Sequence, residues 1–172
     1  MENYIELIAP CHFGLEAVLK REILDLGYEI VAVEDGRVTF RGDETAIARA
    51  NIFIRTAERI LLKMGSFKAT TFDELFEGTR ALPWETWVGK MDAFPVKGHS
   101  IRSTLTSIPT CQSIIKRAVV KRLEEVYGIS RFEETGVKYQ IEFFLLIHRL
   151  LLLIYAQFHL QYFRLGSLCD FP

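Results

Sequence analysis

The feature that most constrains the fold is an Asp35–Gly36 pair set between two short runs rich in β-branched residues. Such a pair between two such runs is the strongest short-range signal for a β-hairpin, because glycine readily adopts the positive φ that a tight turn requires. The flanking runs are residues 28–34 and 37–41. They predict two antiparallel strands joined by a tight turn.

The hairpin is preceded and followed by patterns that each predict one helix and one outer strand. Gly27 supplies a stop signal for the first helix, and Asp43 supplies a capping side chain for the second. The resulting order β-α-β-β-α-β is the ferredoxin-like arrangement, which predicts a first domain over residues 1–69. The four outer elements are a strand at 4–9, a helix at 15–26, a helix at 43–54 and a strand at 60–67.

A second unit begins near Thr71, which stands with Glu74 in the capping-box relation at the start of a helix. Its further predicted elements are a short helix at 83–88, an extended segment at 93–96, a loop or strand irregularity at 97–100, a strand at 101–105, a helix at 111–127 closed by Gly128, and a core strand at 137–146. The prediction is therefore an α+β domain over residues 70–155, with helices packed on a mixed sheet.

Composition limits what these two domains can do. The chain has 172 residues, of which 49% are hydrophobic and 25% charged, as is normal for a globular protein. Its net charge of -1 argues against wholesale electrostatic binding of nucleic acid but leaves room for a local basic face. The three cysteines and four histidines show no metal-ligand spacing, and no export signal opens the chain. We expect a cytoplasmic protein without a metal or cofactor.

A local imbalance of charge lies between Val96 and Leu123, where basic residues occur and acidic residues do not. Cations, hydroxyl groups and a helix N-terminus are the groups that bind phosphate oxygens. A solvated helix flank is the alternative explanation for the same charges. Arg122 lies near the apolar stripe of its helix, so we expect it to be half-buried or paired with an acid such as Glu125 or Glu133. The basic residues are Lys97, Arg102, Lys116, Arg117, Lys121 and Arg122.

Two stretches, FPVKGHSIRSTL at 94–105 and CQSIIKRAVV at 111–120, closely resemble the THUMP domain of bacterial methyltransferases. These enzymes modify guanine N2 of large-subunit ribosomal RNA and are often labelled adenine-specific DNA methylases. APCHFGLE at 9–16 and DGRV at 35–38 resemble the ferredoxin-like domain that precedes THUMP in that branch. The resemblance, which covers about residues 2–146, implies that the second domain binds structured RNA for a linked catalytic domain. The RNA-contacting residues that it implies are Lys97, His99, Ser100, Arg102, Lys116, Arg117 and Lys121.

The catalytic motifs of the same family have no counterpart in this sequence. Its members bind S-adenosylmethionine through a Gly-rich turn and act through an Asn/Asp-Pro-Pro-Tyr type motif, and neither is found here. The glutamate pairs at 124–125 and 133–134 are adjacent residues that point apart on a helix, and Cys111 lacks an identifiable base. Its place at a helix N-terminus is compatible with a lowered pKa, although a packing role is the stronger interpretation. We expect no catalysis in this chain.

The C-terminal segment departs from the family pattern, since residues 147–158 read IHRLLLLIYAQF. The charged interruption and the short length argue against a membrane span. Residues 156–172 are predicted to be an atypical tail arising from a reading-frame shift or a gene remnant, although the start of the segment can still pair as a strand. Apolar side chains in such a tail favour self-association.

Three functions remain open from the sequence. The first is an RNA-binding module of a truncated ribosomal RNA guanine-N2 methyltransferase, which positions structured RNA through phosphate contacts. The second is a subunit that recognises RNA for a separate methyltransferase acting in trans. The third is a folded, non-functional remnant that self-associates.

Overall fold

The computed structural model describes residues 4–155, which fall into two compact units over residues 4–60 and 61–155. No helix within residues 4–155 is long and apolar enough to cross a membrane. Both units combine helices with β-strands, so the predicted α+β class is confirmed. The predicted tail at 156–172 lies outside the described residues.

The first unit contains the predicted hairpin and both predicted helices. Strand β3 pairs in antiparallel fashion with both β1 and β2, and Gly36 takes a positive φ of 75° in the turn. The core side chains Leu7, Leu19 and Phe40 are fully buried between the strands and the helices. The elements are β1 (Ile5–Pro10), α1 (Glu16–Asp25), β2 (Glu29–Glu34), β3 (Arg37–Gly42) and α2 (Glu44–Phe53).

Side chains near the helix ends act as the sequence predicts. The Asp43 carboxylate accepts a hydrogen bond of 2.9 Å from the Ala46 N–H and so caps α2. Gly27, at a φ of 86°, follows the end of α1. The Glu16 carboxylate accepts hydrogen bonds from the N–H groups of Gly14 and Gly36, which fastens the loop after β1 to the hairpin turn.

The second unit is a four-stranded mixed sheet with the strand order β4-β7-β6-β5. Strands β5 and β6 run parallel, while β7 runs antiparallel to both β6 and β4. The predicted capping box of Thr71 and Glu74 is present at the start of α3. The elements are β4 (Leu61–Lys68), α3 (Phe72–Arg80), a 3-10 turn (Trp84–Thr86), β5 (Val96–Ile101), α4 (Ile108–Tyr127), β6 (Ile141–Leu146) and β7 (Arg149–Tyr155).

Strand β4 completes the predicted β-α-β-β-α-β order, yet it pairs with β7 within the second unit. The domain boundary at residue 69 therefore stays a prediction. The first part of the apolar C-terminal segment does pair as a strand, namely β7. It follows β6 through a two-residue turn, in which Ile147 and His148 both take a positive φ, as a type I′ turn requires.

Helices α3 and α4 cover one face of this sheet. Gly78 of α3 lies so close to the Phe67 ring that a side chain there would overlap it. Register places Phe67, Leu150, Leu145 and Ser100 in one row across the four strands. The residues of this row therefore belong to the helix-covered face. On α4, the small side chains of Ala118 and Val119 are fully buried.

The structure differs from the prediction over residues 97–105. Residues 97–100, predicted as a loop or strand irregularity, are part of β5, and residues 102–105, predicted as strand, are a bend at 102–104 followed by an irregular residue. A Cβ at Gly98 would overlap the carbonyl oxygen and the ring of Phe143, so the glycine marks a close approach of two strands. The strand ends where Arg102 takes a φ of 51°.

Smaller differences concern element ends. Helix α4 begins at Ile108 instead of residue 111, because Pro109 fits the first helical turn. Its end at Gly128, at a φ of 66°, is as predicted. The strand predicted at 137–146 begins only at Ile141, and before it Lys138 makes a single parallel bridge to Ala93.

The close approach at Gly98 predicts the effect of Gly98→Ala. The added methyl group would push β5 away from β6, so the free energy of unfolding should fall by about 3 kcal/mol. Urea denaturation measures this change. Lys97→Ala, on the exposed neighbour, is the control and should stay within about 0.5 kcal/mol of the parent chain. Equal stability of all three proteins would contradict the tight β5–β6 pairing.

Candidate nucleic-acid interface

The structure places the seven predicted residues on two sides of the second unit. Successive side chains of a strand point to opposite faces of the sheet. Ser100 belongs to the helix-covered face, so Lys97 and His99 point to the other face, and both are exposed. Arg102 lies in the bend that connects β5 to α4. Lys116, Arg117 and Lys121 lie on α4 itself.

On α4, Arg117 and Lys121 are exposed and one helical turn apart. They border a shallow groove of about 330 Å³ between α3 and α4. The groove has an apolar floor with cations above it, together with one carboxylate, Glu124, whose oxygen lies 3.6 Å from Lys121 Nζ. It is lined by Phe76, Lys116, Arg117, Val120, Lys121 and Glu124.

Lys116 and Ser100 are engaged within the protein. Lys116 Nζ donates to the Phe94 carbonyl oxygen at 3.1 Å, pairs with Glu134 at 2.7 Å and lies 3.7 Å from the centre of the Phe94 ring. The Ser100 hydroxyl donates to the Leu105 carbonyl oxygen at 2.6 Å and so holds the bend after β5. An RNA phosphate would have to compete with these contacts at both residues.

Arg122 is half-buried and paired with an acid as expected, but that acid is neither of the two examples named from the sequence. Its guanidinium makes a two-pronged pair with Glu85, with Nε 2.9 Å from Oε2. Glu125, one of the expected partners, pairs with Arg80 at 2.7 Å instead. Glu85 is the middle residue of the 3-10 turn, and its position opposite Arg122 depends on the fold of that turn.

Three of the predicted cations have no such engagement. The side chains of Lys97, Arg102 and Arg117 make no hydrogen bond or ion pair with any residue in the range 4–155, and they are exposed. A phosphate group that bound these three side chains would displace only water and would break no contact within the protein. The cations of this unit thus divide into a set that holds the fold together and a set that is free to bind a ligand.

Sequence reasoning missed three further side chains on the open sheet face. Register places Phe144 beside His99, and places Lys68 and Arg149 beside each other near the end of that face. Strand alternation within 141–146 and 149–155 was the available signal. The Arg149 signal was obscured, because the residue interrupts an apolar run in the sequence.

The side chains considered for catalysis have structural roles. Cys111 is fully buried, and burial raises the pKa of its thiol, which contradicts the lowered pKa that its place near a helix N-terminus suggested. Glu124 contacts Lys121, and Glu134 contacts Lys116. Within residues 4–155, no group of three or more histidine, cysteine or acidic side chains is arranged to hold a metal ion.

These features define a class of two-part α+β proteins, in which a β-α-β-β-α unit precedes a mixed sheet covered by helices on one face. Comparison with known families identifies the family within this class to which the chain belongs. The THUMP domain family matches residues 69–154, and the RlmL ferredoxin-like domain matches residues 6–61. The chain therefore belongs to the THUMP domain family, and the resemblance seen in the sequence is confirmed.

The relatives are methyltransferases by name. Putative RNA methyltransferase YpsC of Bacillus subtilis is 48% identical over 148 residues, which are 85% of this chain and 38% of YpsC. Ribosomal RNA large subunit methyltransferase K/L of Cellvibrio japonicus is 27% identical over 72% of this chain and 16% of its own length.

A solved structure agrees with these relatives. It is that of a predicted N6-adenine-specific DNA methylase from Listeria monocytogenes, which is 46% identical and superposes with a TM-score of 0.85. The match covers 89% of this chain and 40% of that one. The chain thus spans about two fifths of the length of YpsC and of the Listeria protein.

The Arg122–Glu85 pair predicts a pH-dependent contribution to stability. Hydrogen bonds from Arg122 lower the pKa of Glu85 below its ordinary value of 4.5. A lowered folded-state pKa stabilises the protein above the unfolded-state value, and that stabilisation is lost as the pH falls through the folded-state value. Glu85→Gln should therefore lower the urea midpoint at pH 7, and the difference from the parent chain should shrink below about pH 4.5.

The matched control for this prediction is Glu77→Gln. Glu77 also pairs with an arginine, Arg80, but its side chain is 65% exposed, so its loss should change the urea midpoint little. A difference between Glu85→Gln and the parent chain that stays constant from pH 7 to about pH 3 would contradict the role assigned to the ionised pair.

Proposed function

We propose that this chain is the RNA-binding part of an RNA methyltransferase and that it positions structured RNA through phosphate contacts. The THUMP unit supplies the binding surface, and the methyl transfer belongs to a catalytic domain outside the described residues. The RNA is large-subunit ribosomal RNA, as the name of the Cellvibrio relative suggests. No base-specific reading is needed for such a role, because phosphate contacts fix position and orientation.

The observation that carries the proposal is the exposed pair of Arg117 and Lys121 on α4. Arg117 has no partner within residues 4–155, and Lys121 has only a 3.6 Å contact to Glu124. Their neighbour Lys116 is held by Glu134. Arg117 is thus free, while its neighbour Lys116 is paired. A binding site for a ligand explains this difference better than a general need for solubility, since solubility does not require unpaired charges at one site.

A subunit acting in trans would use the same surface. Purification of the chain from cell extract distinguishes the two arrangements, because a trans-acting subunit should retain a separate methyltransferase. A folded remnant would bind neither RNA nor an enzyme. The proposed self-association through the tail concerns residues that the structure does not describe.

Binding to ribosomal RNA hairpins should weaken steeply with salt, because each phosphate contact releases a counterion. The double variant Arg117→Glu, Lys121→Glu should bind more weakly and lower the slope of log affinity against log salt by about 1 for each cation lost. Filter binding at several salt concentrations measures this slope.

The control is Lys20→Glu with Arg21→Glu, which changes the net charge equally on exposed residues of α1. This variant should keep the slope of the parent chain. Equal effects of the two double variants would mean that binding responds to net charge, and would refute a site on α4. Undetectable binding of the parent chain at low salt would refute RNA binding altogether.

The proposal also predicts that the chain transfers no methyl group by itself. Incubation with ribosomal RNA and radiolabelled S-adenosylmethionine should leave the RNA unlabelled, whereas full-length YpsC serves as the comparison enzyme. Labelling that depends on this chain alone would place catalysis within it and contradict the division of roles proposed above.

A further inference from the structure

The sheet face opposite the helices is exposed in part in the second unit, since Lys97 and His99 are exposed whereas Glu142 and Leu153 are buried. This open sheet face carries an ordered set of side chains. Register arranges this face in rows that run across the strands. The middle row begins at His99 on β5 and continues through Phe144 and Leu151. The rows are Lys97, Glu142, Leu153 and Lys63; then His99, Phe144, Leu151 and Ser66; then Ile101, Leu146, Arg149 and Lys68.

The middle row presents two neighbouring aromatic rings, tilted relative to each other, at the edge of the sheet. The His99 and Phe144 ring centres are 5.8 Å apart, with an angle of 36° between the ring planes. His99 is exposed and Phe144 is half-buried, so both rings are accessible. Ile101 and Leu146 in the next row are 54% and 52% exposed, which extends the apolar platform.

The charges around this platform are almost all positive. Lys97 lies two residues before His99, about 6.6 Å along the strand, and Arg149 and Lys68 close the far row. The one acidic residue in the three rows, Glu142, is only 7% exposed. An apolar, aromatic surface bordered by exposed cations is complementary to a partner that is flat, apolar and attached to an anionic backbone.

Unpaired nucleotides have this chemistry. Their bases stack on aromatic side chains and their phosphates bind cations, whereas bases in a duplex are already stacked on one another. We propose that the open sheet face binds an unpaired segment of the RNA, with one base stacked on His99 and Phe144 and its phosphate bound by Lys97. This inference rests on the proposed RNA-binding function and adds a preference for single-stranded nucleotides.

A second copy of the chain fits this face less well. A symmetric contact brings the same patch of each copy together, so the positive charges of Lys97, Arg149 and Lys68 would face the positive charges of the other copy. The repulsion would have to be offset by a small apolar area. The same argument holds against any partner that does not carry negative charge.

The test compares two RNA hairpins, one with a short single-stranded overhang and one with a blunt end. His99→Ala combined with Phe144→Leu removes the rings but keeps an apolar side chain in the half-buried position. Stacking of one base contributes about 1–3 kcal/mol, so binding of the overhang hairpin should weaken by roughly fivefold or more. Binding of the blunt hairpin should change less than twofold, and the salt slope should remain that of the parent chain.

The matched control is His99→Phe, which retains a ring and should bind the overhang hairpin as well as the parent chain does. The inference is overturned if the ring-free variant weakens both hairpins equally or neither of them. If the ring-free variant gives such a result while the double variant Arg117→Glu, Lys121→Glu still weakens binding, the proposed RNA-binding function is retained and only the stacking site is rejected. If the parent chain binds neither hairpin, both proposals fail.

Sedimentation of the parent chain and the ring-free variant completes the test. The proposal expects the two proteins to have the same association state. A dimer that dissociates when His99 and Phe144 are replaced would identify the face as a protein interface and would overturn the assignment to RNA.

Discussion

The parallel pairing of β5 with β6 is the contact on which the second unit depends. Two parallel strands need a crossover connection, and here that connection is α4, which packs on one face of the sheet. The pairing is close because Gly98 brings no side chain between its own backbone and Phe143. Once this register is fixed, alternation along β5 decides which residues face the helices and which face outward. The division of the basic residues into two groups is a consequence of this pairing.

Burial then decides which cations remain available. A charge near the core is costly unless a partner compensates it, and so Lys116 has Glu134 and Arg122 has Glu85. Exposed cations such as Arg117 carry no such cost and need no partner within the protein. A sequence count gives all of these residues the same charge, yet the fold leaves only some of them free for a ligand. The candidate surface is therefore smaller than the basic stretch from which it was predicted.

Local signals in the sequence predicted most of the elements, because turns, caps and helix stops depend on neighbouring residues. The Asp35–Gly36 hairpin, the Asp43 cap and the end of α4 at Gly128 are examples. The wrong predictions concern residues whose structure depends on a contact with a residue distant in the sequence. Gly98 suggests a loop until Phe143 is known to lie against it, and the partner of Arg122 is thirty-seven residues away at Glu85. The aromatic pair of His99 and Phe144 depends on strand register, which no local pattern contains.

The two groups of cations constrain the shape of an RNA that contacts both. The helices form one layer and the sheet another, so Arg117 and Lys97 present their charges on opposite sides of a layered structure. A straight duplex resting on one side would miss the other. Among the described strands, β5 lies at the edge of its sheet, and the bend after it carries Arg102. An RNA with a helical part against α4 and an unpaired part that passes this edge would meet all of the free cations, and this is why the proposed functions of the two faces belong together.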